Sequence, residues 1–241
     1  MGQPAYRAKQ VFDWMWKLGA KGFDDMSNVP AALRQELSDR FTFESIILDV
    51  RQNSADGTVK SRYKLHDGYK IETVMIPVPE DRRSTACVSS QVGCSLTCSF
   101  CATGKMGRLR NLTAGEIYDQ AFDTNKLSQE MLGYPLTNIV YMGMGEPLLN
   151  YGPVMESIHK ITSPEGMAWS PRRITLSTAG IAKMIRRLGD EKVKFNLALS
   201  LHAADDNKRN QIMPINETNS LRSLMEALDY FYKQTGGRIS F

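Results

Sequence analysis

From residue 84 onward the sequence alternates short runs of strand character with segments of helical periodicity, and this alternation limits the possible folds most. Parallel strands require it, because each crossover between them needs a dozen or more residues and is usually a helix. The predicted strands lie at residues 84–90, 136–142, 172–177, 193–202 and 238–241. The sequence therefore predicts an α/β fold with a parallel sheet, either open or closed into a barrel.

The side chains along the predicted strands distinguish an open sheet from a barrel. Residues 195–202 place alternating side chains on two faces, with apolar Phe195, Leu197, Leu199 and Leu201 opposite Asn196, Ala198, Ser200 and His202. A sheet covered by helices on both faces would be apolar on both. One apolar face and one small, polar face indicate helices outside and a ligand-holding lumen inside. The same alternation in residues 84–90 puts Cys87 on the lumen face.

Two regions of different character precede the barrel. Residues 1–43 have helical periodicity and predict a small helical accessory domain. Residues 44–81 contain short β-rich runs separated by Asp-Gly turns, which predict a short antiparallel β segment. Residues 82–241 then form the barrel. Because its last strand would leave an exposed parallel edge, we expect the chain to be a fragment that lacks a C-terminal part. The abrupt opening "GQPAYRAKQ" indicates that some N-terminal residues are missing too.

Composition and charge exclude some classes of protein. The 241 residues are 42% hydrophobic and carry a formal net charge of +4, which permits a nucleic-acid partner without requiring one. No apolar run approaches the ~18 residues of a membrane-spanning helix, and the N-terminus is no signal peptide. We therefore expect a cytoplasmic protein with no membrane partner. In that reducing compartment, clustered cysteines favour metal binding or redox chemistry over disulfides.

All four cysteines lie within residues 87–101, and three of them, Cys94, Cys98 and Cys101, have the spacing C-x3-C-x2-C. Structural zinc is usually held by two pairs of ligands, and no second pair follows here. A [4Fe-4S] cluster also needs four ligands, so three thiolates would leave one iron open to bind another molecule. The spacing favours such a cluster, with three buried cysteines or an incomplete zinc site as the alternatives.

Several longer motifs occur in order: "CVSSQVGCSLTCSFCATGKMG", "GMGEPLLNY", "RRITLSTAGI", "ALSLHAADD" and "QIMPIN". With them the chain resembles the radical S-adenosylmethionine superfamily and, within it, the adenine-C2 methyltransferases of 23S ribosomal RNA and tRNA. The resemblance covers nearly the whole chain, including "PAYRAKQVFDWMWKLG" and "IETVMIP". It implies a partial (βα)6 TIM-like barrel, a [4Fe-4S] cluster and S-adenosylmethionine.

The resemblance also implies roles for individual residues. Cys94, Cys98 and Cys101 would ligate the cluster. The contacts to S-adenosylmethionine would come from the ends of three strands, namely Gly145, Glu146, Ser177, Ser200, Leu201 and His202. Glu72 would accept a proton, and Cys87 would help to resolve a covalent enzyme–RNA intermediate. Without the resemblance, Glu72 would be a solvated strand residue and Cys87 a small core residue.

The chemistry of these methyltransferases uses two molecules of S-adenosylmethionine. One methylates a C-terminal cysteine, and the other is cleaved reductively to a radical that activates this methyl group for addition to adenine C2. An electron donor, such as a flavodoxin-like protein, is therefore implied. The methyl-carrying cysteine and a cofactor-contacting asparagine have no counterpart in this chain, so we expect it to bind the cofactors but not to turn over alone.

Contacts to RNA are predicted less directly. Lys105, Arg108 and Arg110 follow the cysteine loop with no acidic residue nearby in the sequence, so they could hold phosphates or form a solvated basic loop. The N-terminal helices, with Arg7 and Lys9, could form an RNA-docking appendage. Lys17 lies in the same region.

Three other functions remain open at this point. An adenine-C8 methyltransferase of ribosomal RNA shares almost every motif. A different radical enzyme, such as a glycyl-radical activase, shares the cysteine spacing and a Gly-Glu-Pro loop. A non-catalytic, zinc-bearing RNA-binding module would contain zinc without sulfide.

Overall fold

The structure, a computed structural model, describes residues 2–43 and 46–241. One sheet contains eight strands: β1 (Ile47–Asn53), β2 (Val59–Lys64), β3 (Lys70–Val78), β4 (Arg83–Cys87), β7 (Asn138–Tyr141), β8 (Ile174–Thr178), β9 (Asn196–Leu199) and β10 (Ile239–Ser240). Two shorter strands, β5 (Gln91–Val92) and β6 (Arg110–Asn111), pair with each other beside it.

The described residues also form eight α-helices. They are α1 (Ala5–Asp13), α2 (Ala31–Arg40), α3 (Ala102–Lys105), α4 (Ala114–Leu132), α5 (Tyr151–Thr162), α6 (Ala182–Asp190), α7 (Asp206–Ile212) and α8 (Leu221–Thr235). Among the described residues, none of the helices combines the length and the apolar character needed to cross a bilayer.

The strand order of the sheet is β1-β2-β3-β4-β7-β8-β9-β10. Pairing is antiparallel from β1 to β4 and parallel from β4 to β10. The predicted α/β fold with a mostly parallel sheet is thus confirmed. The antiparallel strands continue this sheet, because β3 hydrogen-bonds directly to β4. The predicted domain boundary between residues 43 and 44 adjoins residues 44 and 45, which are outside the described part of the chain. It therefore stays a prediction.

The parallel strands have the two different faces that their sequences predict. In β8, Ile174 and Leu176 are fully buried in the apolar core, whereas Thr175 and Ser177 on the opposite face are half-buried. Leu197 of β9 belongs to the same core, together with buried side chains of the covering helices. The apolar face therefore anchors the helices, and the small, polar face is left for a cavity.

Local capping signals determine where the long helix α4 begins and ends. The Thr113 hydroxyl accepts a hydrogen bond from the Glu116 N–H at 3.2 Å, and the Glu116 carboxylate accepts one from the Thr113 N–H at 2.9 Å. This reciprocal pair is a capping box, which satisfies two amides that a helix start leaves unpaired. The helix ends at Gly133, which has a left-handed conformation.

The N-terminal helices pack against α4 and α5. The Trp16 ring meets the Tyr118 ring edge-on, with 5.0 Å between their centroids, and the Lys160 ammonium lies 4.8 Å from the Trp16 ring centroid. Gly19 has a positive φ of 67°, and a Cβ there would lie 2.0 Å from the Phe122 ring. The helical segment therefore needs glycine at this position to approach α4 so closely.

An ion pair ties the same N-terminal segment to α4. The Lys21 ammonium lies 3.3 Å from an Asp119 oxygen and 3.1 Å from an Asp123 oxygen. Burial raises the pKa of Asp119 from 3.8 to about 6, and Lys21 opposes this shift. Because the folded chain binds this proton more tightly than the unfolded chain, the contribution of Asp119 to stability is complete below pH 4 and is lost as the pH rises through 6.

We expect the substitution Asp119→Asn to remove this pH-dependent component. Relative to Asp119→Asn, the unsubstituted protein should lose about 2–3 kcal/mol of unfolding free energy between pH 4 and pH 7. Urea unfolding over that range measures the difference. Asp229→Asn, at an exposed carboxylate of α8, is the control and should follow the unsubstituted curve. Identical pH dependence for Asp119→Asn and the unsubstituted protein would contradict the assignment.

Candidate active site at the carboxyl ends of the parallel strands

A cavity of about 210 Å³ lies where the loops that follow β7, β8 and β9 meet the cysteine loop, residues 94–101. Its lining includes most of the residues that the sequence singled out: Cys94, Cys98, Cys101, Gly145, Glu146, Ser177, Ser200 and His202. Ligands of barrel enzymes bind at this end of the strands, because the variable loops that follow the strands converge there.

Backbone contacts determine the shape of the cysteine loop. Cys94 and Cys98 are buried and Cys101 is half-buried. The Cys101 N–H donates to the Cys98 carbonyl at 3.1 Å, and the Ser99 N–H donates to the Ile212 carbonyl at 3.0 Å. The loop is therefore closed on itself and attached to the end of α7, with its three thiols at the cavity.

Burial and neighbouring negative charges act on the thiols of the cysteine loop. Burial raises the pKa of both Cys94 and Cys98, and mutual repulsion among the thiolates raises it further. A metal centre reverses this effect, because thiols lose their protons when they coordinate metal. Among the described residues, no three His, Cys, Asp or Glu side chains converge on a point that would hold a single metal ion. The three thiols line one cavity. This donor set fits a cluster, whose thiolate ligands bind separate irons.

Two glycines bring the loop after β7 against the segment that leads into the cysteine loop. Gly145 has φ of +99°, and a Cβ there would lie 2.5 Å from the Gln91 Cβ. A Cβ on Gly143 would lie 2.8 Å from the Ser89 backbone nitrogen. Because no side chain fits at either position, both glycines are required for this close approach.

Glu146 joins the loops that follow β7 and β8. Its carboxylate accepts hydrogen bonds from the Ala179 N–H at 2.8 Å and the Leu148 N–H at 3.2 Å, and its own N–H donates to the Gln91 side chain at 2.8 Å. The side chain is buried, which raises its pKa, and the hydrogen bond from Ala179 opposes that shift. Glu146 therefore orders two loops as well as lining the cavity.

The end of β9 completes the cavity wall. The Ser177 and Ser200 hydroxyl oxygens lie 3.3 Å apart, and the His202 ring centroid lies 4.3 Å from that of Phe100 in the cysteine loop. His202 has a positive φ of 56°, which is uncommon for a side chain of this size. Leu201 points away from this group and packs against the apolar core.

Comparison with known proteins agrees with this geometry. Residues 1–43 match the ribosomal RNA large subunit methyltransferase N-terminal domain, and residues 88–239 match the radical SAM superfamily. A probable dual-specificity RNA methyltransferase RlmN from Cytophaga hutchinsonii is 56% identical over 100% of this chain and 65% of the relative. Its counterpart from Christiangramia forsetii is 51% identical over 100% of this chain and 68% of the relative. The chain belongs to the RlmN family of radical SAM enzymes.

A solved structure supports the same family. The crystal structure of a radical SAM methyltransferase from Sphaerobacter thermophilus superposes with a TM-score of 0.91 at 41% identity, and the match covers 99% of this chain and 69% of that one. The chain thus spans about two thirds of the length of the RlmN proteins and of the radical SAM methyltransferase that it matches.

Besides Leu201, two more predicted site residues lie apart from the RlmN cavity. Cys87, at the end of β4, is half-buried, and burial raises its pKa to about 11 although the Met142 N–H donates to it. The Glu72 carboxylate is exposed and lies 3.3 Å from the Lys60 ammonium. Val74 of β3 is opposite Cys87 in the register, so Glu72, two residues away, is on the same face of the sheet as Cys87.

Arg110, expected either to contact phosphate or to belong to a solvated basic loop, is paired with acidic side chains instead. Its guanidinium forms two hydrogen bonds to the Glu116 carboxylate, at 2.7 and 2.8 Å, and a further ion pair with Asp67. These carboxylates raise the pKa of Arg110 and occupy its donors, so it ties α4 to the turn after β2. Lys105 and Arg108 remain exposed beside the cysteine loop.

Sequence reasoning missed three polar residues that support the RlmN site. They are Gln91, which accepts from Glu146, and Arg209 and Asn216, which hydrogen-bond to each other behind the cavity. Arg209 is completely buried. An arginine on a short polar helix has no pattern that predicts burial, and the "QIMPIN" motif was the only available pointer to this region.

We expect Glu146→Gln to destabilise the loops that follow β7 and β8. The amide NH2 of glutamine would face an N–H that now donates to a carboxylate oxygen, so unfolding free energy should fall by about 1–3 kcal/mol. Amide hydrogen exchange at Leu148 and Ala179 should become faster. Urea unfolding and mass-spectrometric exchange measure these two effects, with Glu130→Gln on the exposed face of α4 as the control. Unchanged exchange at Ala179 would show that Glu146 does not order the loop after β8.

Proposed function

We propose that this chain carries the cofactor-binding part of an enzyme that methylates C2 of adenosine in 23S ribosomal RNA and tRNA, through a methylated-cysteine intermediate. The observation that carries the proposal is the meeting of the C-x3-C-x2-C loop with the ends of three parallel strands in one cavity. The relatives that share this chain's sequence at 51–56% identity are named as dual-specificity RNA methyltransferases.

Within this proposal, Cys94, Cys98 and Cys101 hold a [4Fe-4S] cluster. When bound, the cluster supplies the electron that cleaves S-adenosylmethionine. The chain's own groups position S-adenosylmethionine. Backbone at Gly145 can approach a ligand closely because it has no side chain, and the neighbouring Glu146 keeps that loop in place.

Hydroxyl and imidazole groups orient S-adenosylmethionine on the other side of the cavity. Ser177 and Ser200 present adjacent hydroxyl groups that can donate to and accept from a polar ligand. His202 lines the same wall and contacts the cysteine loop through Phe100. Leu201 contributes its backbone groups to the cofactor site, since its side chain packs against the apolar core.

Glu72 and Cys87 serve later proton and thiol chemistry on the substrate. Their shared face of the sheet supports this pairing. At neutral pH the Cys87 sulfur keeps its proton, because burial raises its pKa to about 11. Glu72 is exposed and can take a proton at its carboxylate.

The partners follow from the same proposal. Residues 1–43 form an RNA-docking accessory unit, residues 44–81 a β segment that carries Glu72, and residues 82–241 the catalytic barrel. Exposed Lys105 and Arg108 beside the cavity are suited to phosphate contacts. A flavodoxin-like electron donor and a cytoplasmic location complete the proposal.

Anaerobic reconstitution with iron and sulfide tests the cofactor part. The reduced protein should give the electron paramagnetic resonance spectrum of a [4Fe-4S] cluster, and S-adenosylmethionine should change it. Cys98→Ala should lose the cluster, because it removes a ligand. Cys87→Ala is the matched control and should keep it. Zinc without sulfide, or a cluster that survives Cys98→Ala, would contradict the proposal.

The product of the reaction tests the substrate part. In a chimera, residues 1–241 replace the matched region of the Cytophaga hutchinsonii relative. The chimera is incubated with unmodified ribosomal RNA and tRNA, and nucleosides are analysed by mass spectrometry. We expect 2-methyladenosine. A product methylated at C8 would overturn the proposed specificity and leave the cofactor site intact.

A further inference from the structure

Arg209 of α7 is completely buried, yet no carboxylate forms an ion pair with it among the residues that the structure describes. Burial of a charge without a counter-ion is costly, so such groups are normally paired. Burial accordingly lowers the pKa of Arg209, while the charges of Asp206 and Cys98 oppose that shift. A buried arginine without a carboxylate partner, next to the cysteine cavity, therefore indicates a functional role.

The guanidinium of Arg209 donates only to neutral acceptors, and most of them lie at the ends of two parallel strands. Its Nε donates to the Leu201 carbonyl at 3.0 Å, and one terminal nitrogen donates to the Ser200 carbonyl at 3.2 Å and to the Ala179 carbonyl. The other terminal nitrogen donates to the Asn216 side chain. One side chain thus joins the loop after β8 to the loop after β9.

The segment that carries Arg209 also holds the cysteine loop. The Ile212 carbonyl at the end of α7 accepts from the Ser99 N–H at 3.0 Å. Met213 is buried in a small apolar cluster that contains Cys94, Cys98 and Ala179. Residues 206–213 are therefore the place where the cysteine loop and both strand ends are connected.

Further polar side chains hold the Arg209 guanidinium in place. The Asn216 amide nitrogen donates to Asp206 at 2.8 Å and to Asn210 at 2.6 Å, while its oxygen accepts from Arg209. Asp206 also accepts from the Leu221 N–H at 2.9 Å, which anchors it to the start of α8. The orientation of the guanidinium is thus determined on the side away from the cavity.

We propose that Arg209 is a positioning residue of the cofactor site. It holds the backbone around Ala179 and Ser200 in register with the cysteine loop, and its positive charge offsets the negative charge that three thiolates bring to the cavity. This inference rests on the proposed function, because it assigns the support of the same S-adenosylmethionine site. A planar fork with several donors suits this task, whereas lysine offers one point charge.

The test compares Arg209→Gln and Arg209→Lys with Arg222→Gln, which alters an exposed arginine on α8. Without cofactors, amide exchange in peptides that cover residues 176–182 and 199–204 should become faster in both Arg209 variants. After reconstitution, the S-adenosylmethionine concentration for a half-maximal spectral change should rise about tenfold or more in both, as expected when buried hydrogen bonds are lost.

The reduction potential of the cluster separates charge from packing. It should fall in Arg209→Gln, because a nearby positive charge favours the reduced and more negative cluster. It should stay near the unsubstituted value in Arg209→Lys, which keeps the charge. An Arg209→Gln protein that folds and retains both the unsubstituted potential and the unsubstituted S-adenosylmethionine response would overturn the inference.

Asn216→Ala covers the case in which neither Arg209 variant folds. It removes one of the four hydrogen-bond partners of Arg209 and leaves the charge. We expect the half-maximal S-adenosylmethionine concentration to rise at least threefold, and an unchanged value would overturn the inference. Failure of the proposed function is recognised separately, because the unsubstituted protein would then show no cluster or no response to S-adenosylmethionine.

Discussion

The backbone at the end of β8 is held from two sides by two buried side chains, Glu146 and Arg209, and the site depends on this arrangement. The Ala179 N–H donates to the Glu146 carboxylate and the Ala179 carbonyl accepts from the Arg209 guanidinium. Backbone groups that leave a parallel sheet lose their ladder partners, and when buried they must find others. Here a loop after β7 and the helix after β9 supply those partners, so three loops are set relative to one another by two side chains.

Close backbone approach provides the other half of the support. Gly143 and Gly145 let the loop after β7 lie directly against residues 88–91, and Gln91 then accepts the Glu146 N–H. The cysteine loop begins three residues later and therefore follows a segment that these contacts hold in place. The antiparallel strands extend the same sheet and bring Glu72 to the face of Cys87. Catalytic candidates on separate regions of the sequence thus share one continuous sheet.

The sequence predicts those features that depend on local patterns. The alternation in residues 195–202 predicts which face is apolar, and Thr113 with Glu116 predicts the start of α4. Convergence of the cysteine loop with Gly145, Ser177 and Ser200 also follows, because parallel strands present their carboxyl ends on one side. These patterns predict most of the fold and most of the cavity lining.

Features that depend on long-range pairing could not be predicted in the same way. Arg110 has its partners in the next helix and in a turn 43 residues earlier, so its sequence neighbourhood indicated a free basic group. Arg209 lies in a polar helix. Its side chain is buried because it contacts the backbone that follows β8 and β9, and no helical periodicity of apolar residues indicates this burial. Neither the Arg110–Asp67 ion pair nor the hydrogen bonds from Arg209 to the ends of β8 and β9 leave a local signal, since each is determined by how distant segments pack.

The proposed function requires that Cys94, Cys98 and Cys101 leave one iron of the cluster open for S-adenosylmethionine. Mössbauer spectroscopy of protein reconstituted with isotopically enriched iron tests it most directly, in spectra recorded with and without S-adenosylmethionine. We predict that the cofactor changes the signal of a single iron site and leaves the other sites as they were. A spectrum in which all the irons stay equivalent after S-adenosylmethionine is added would contradict the claim.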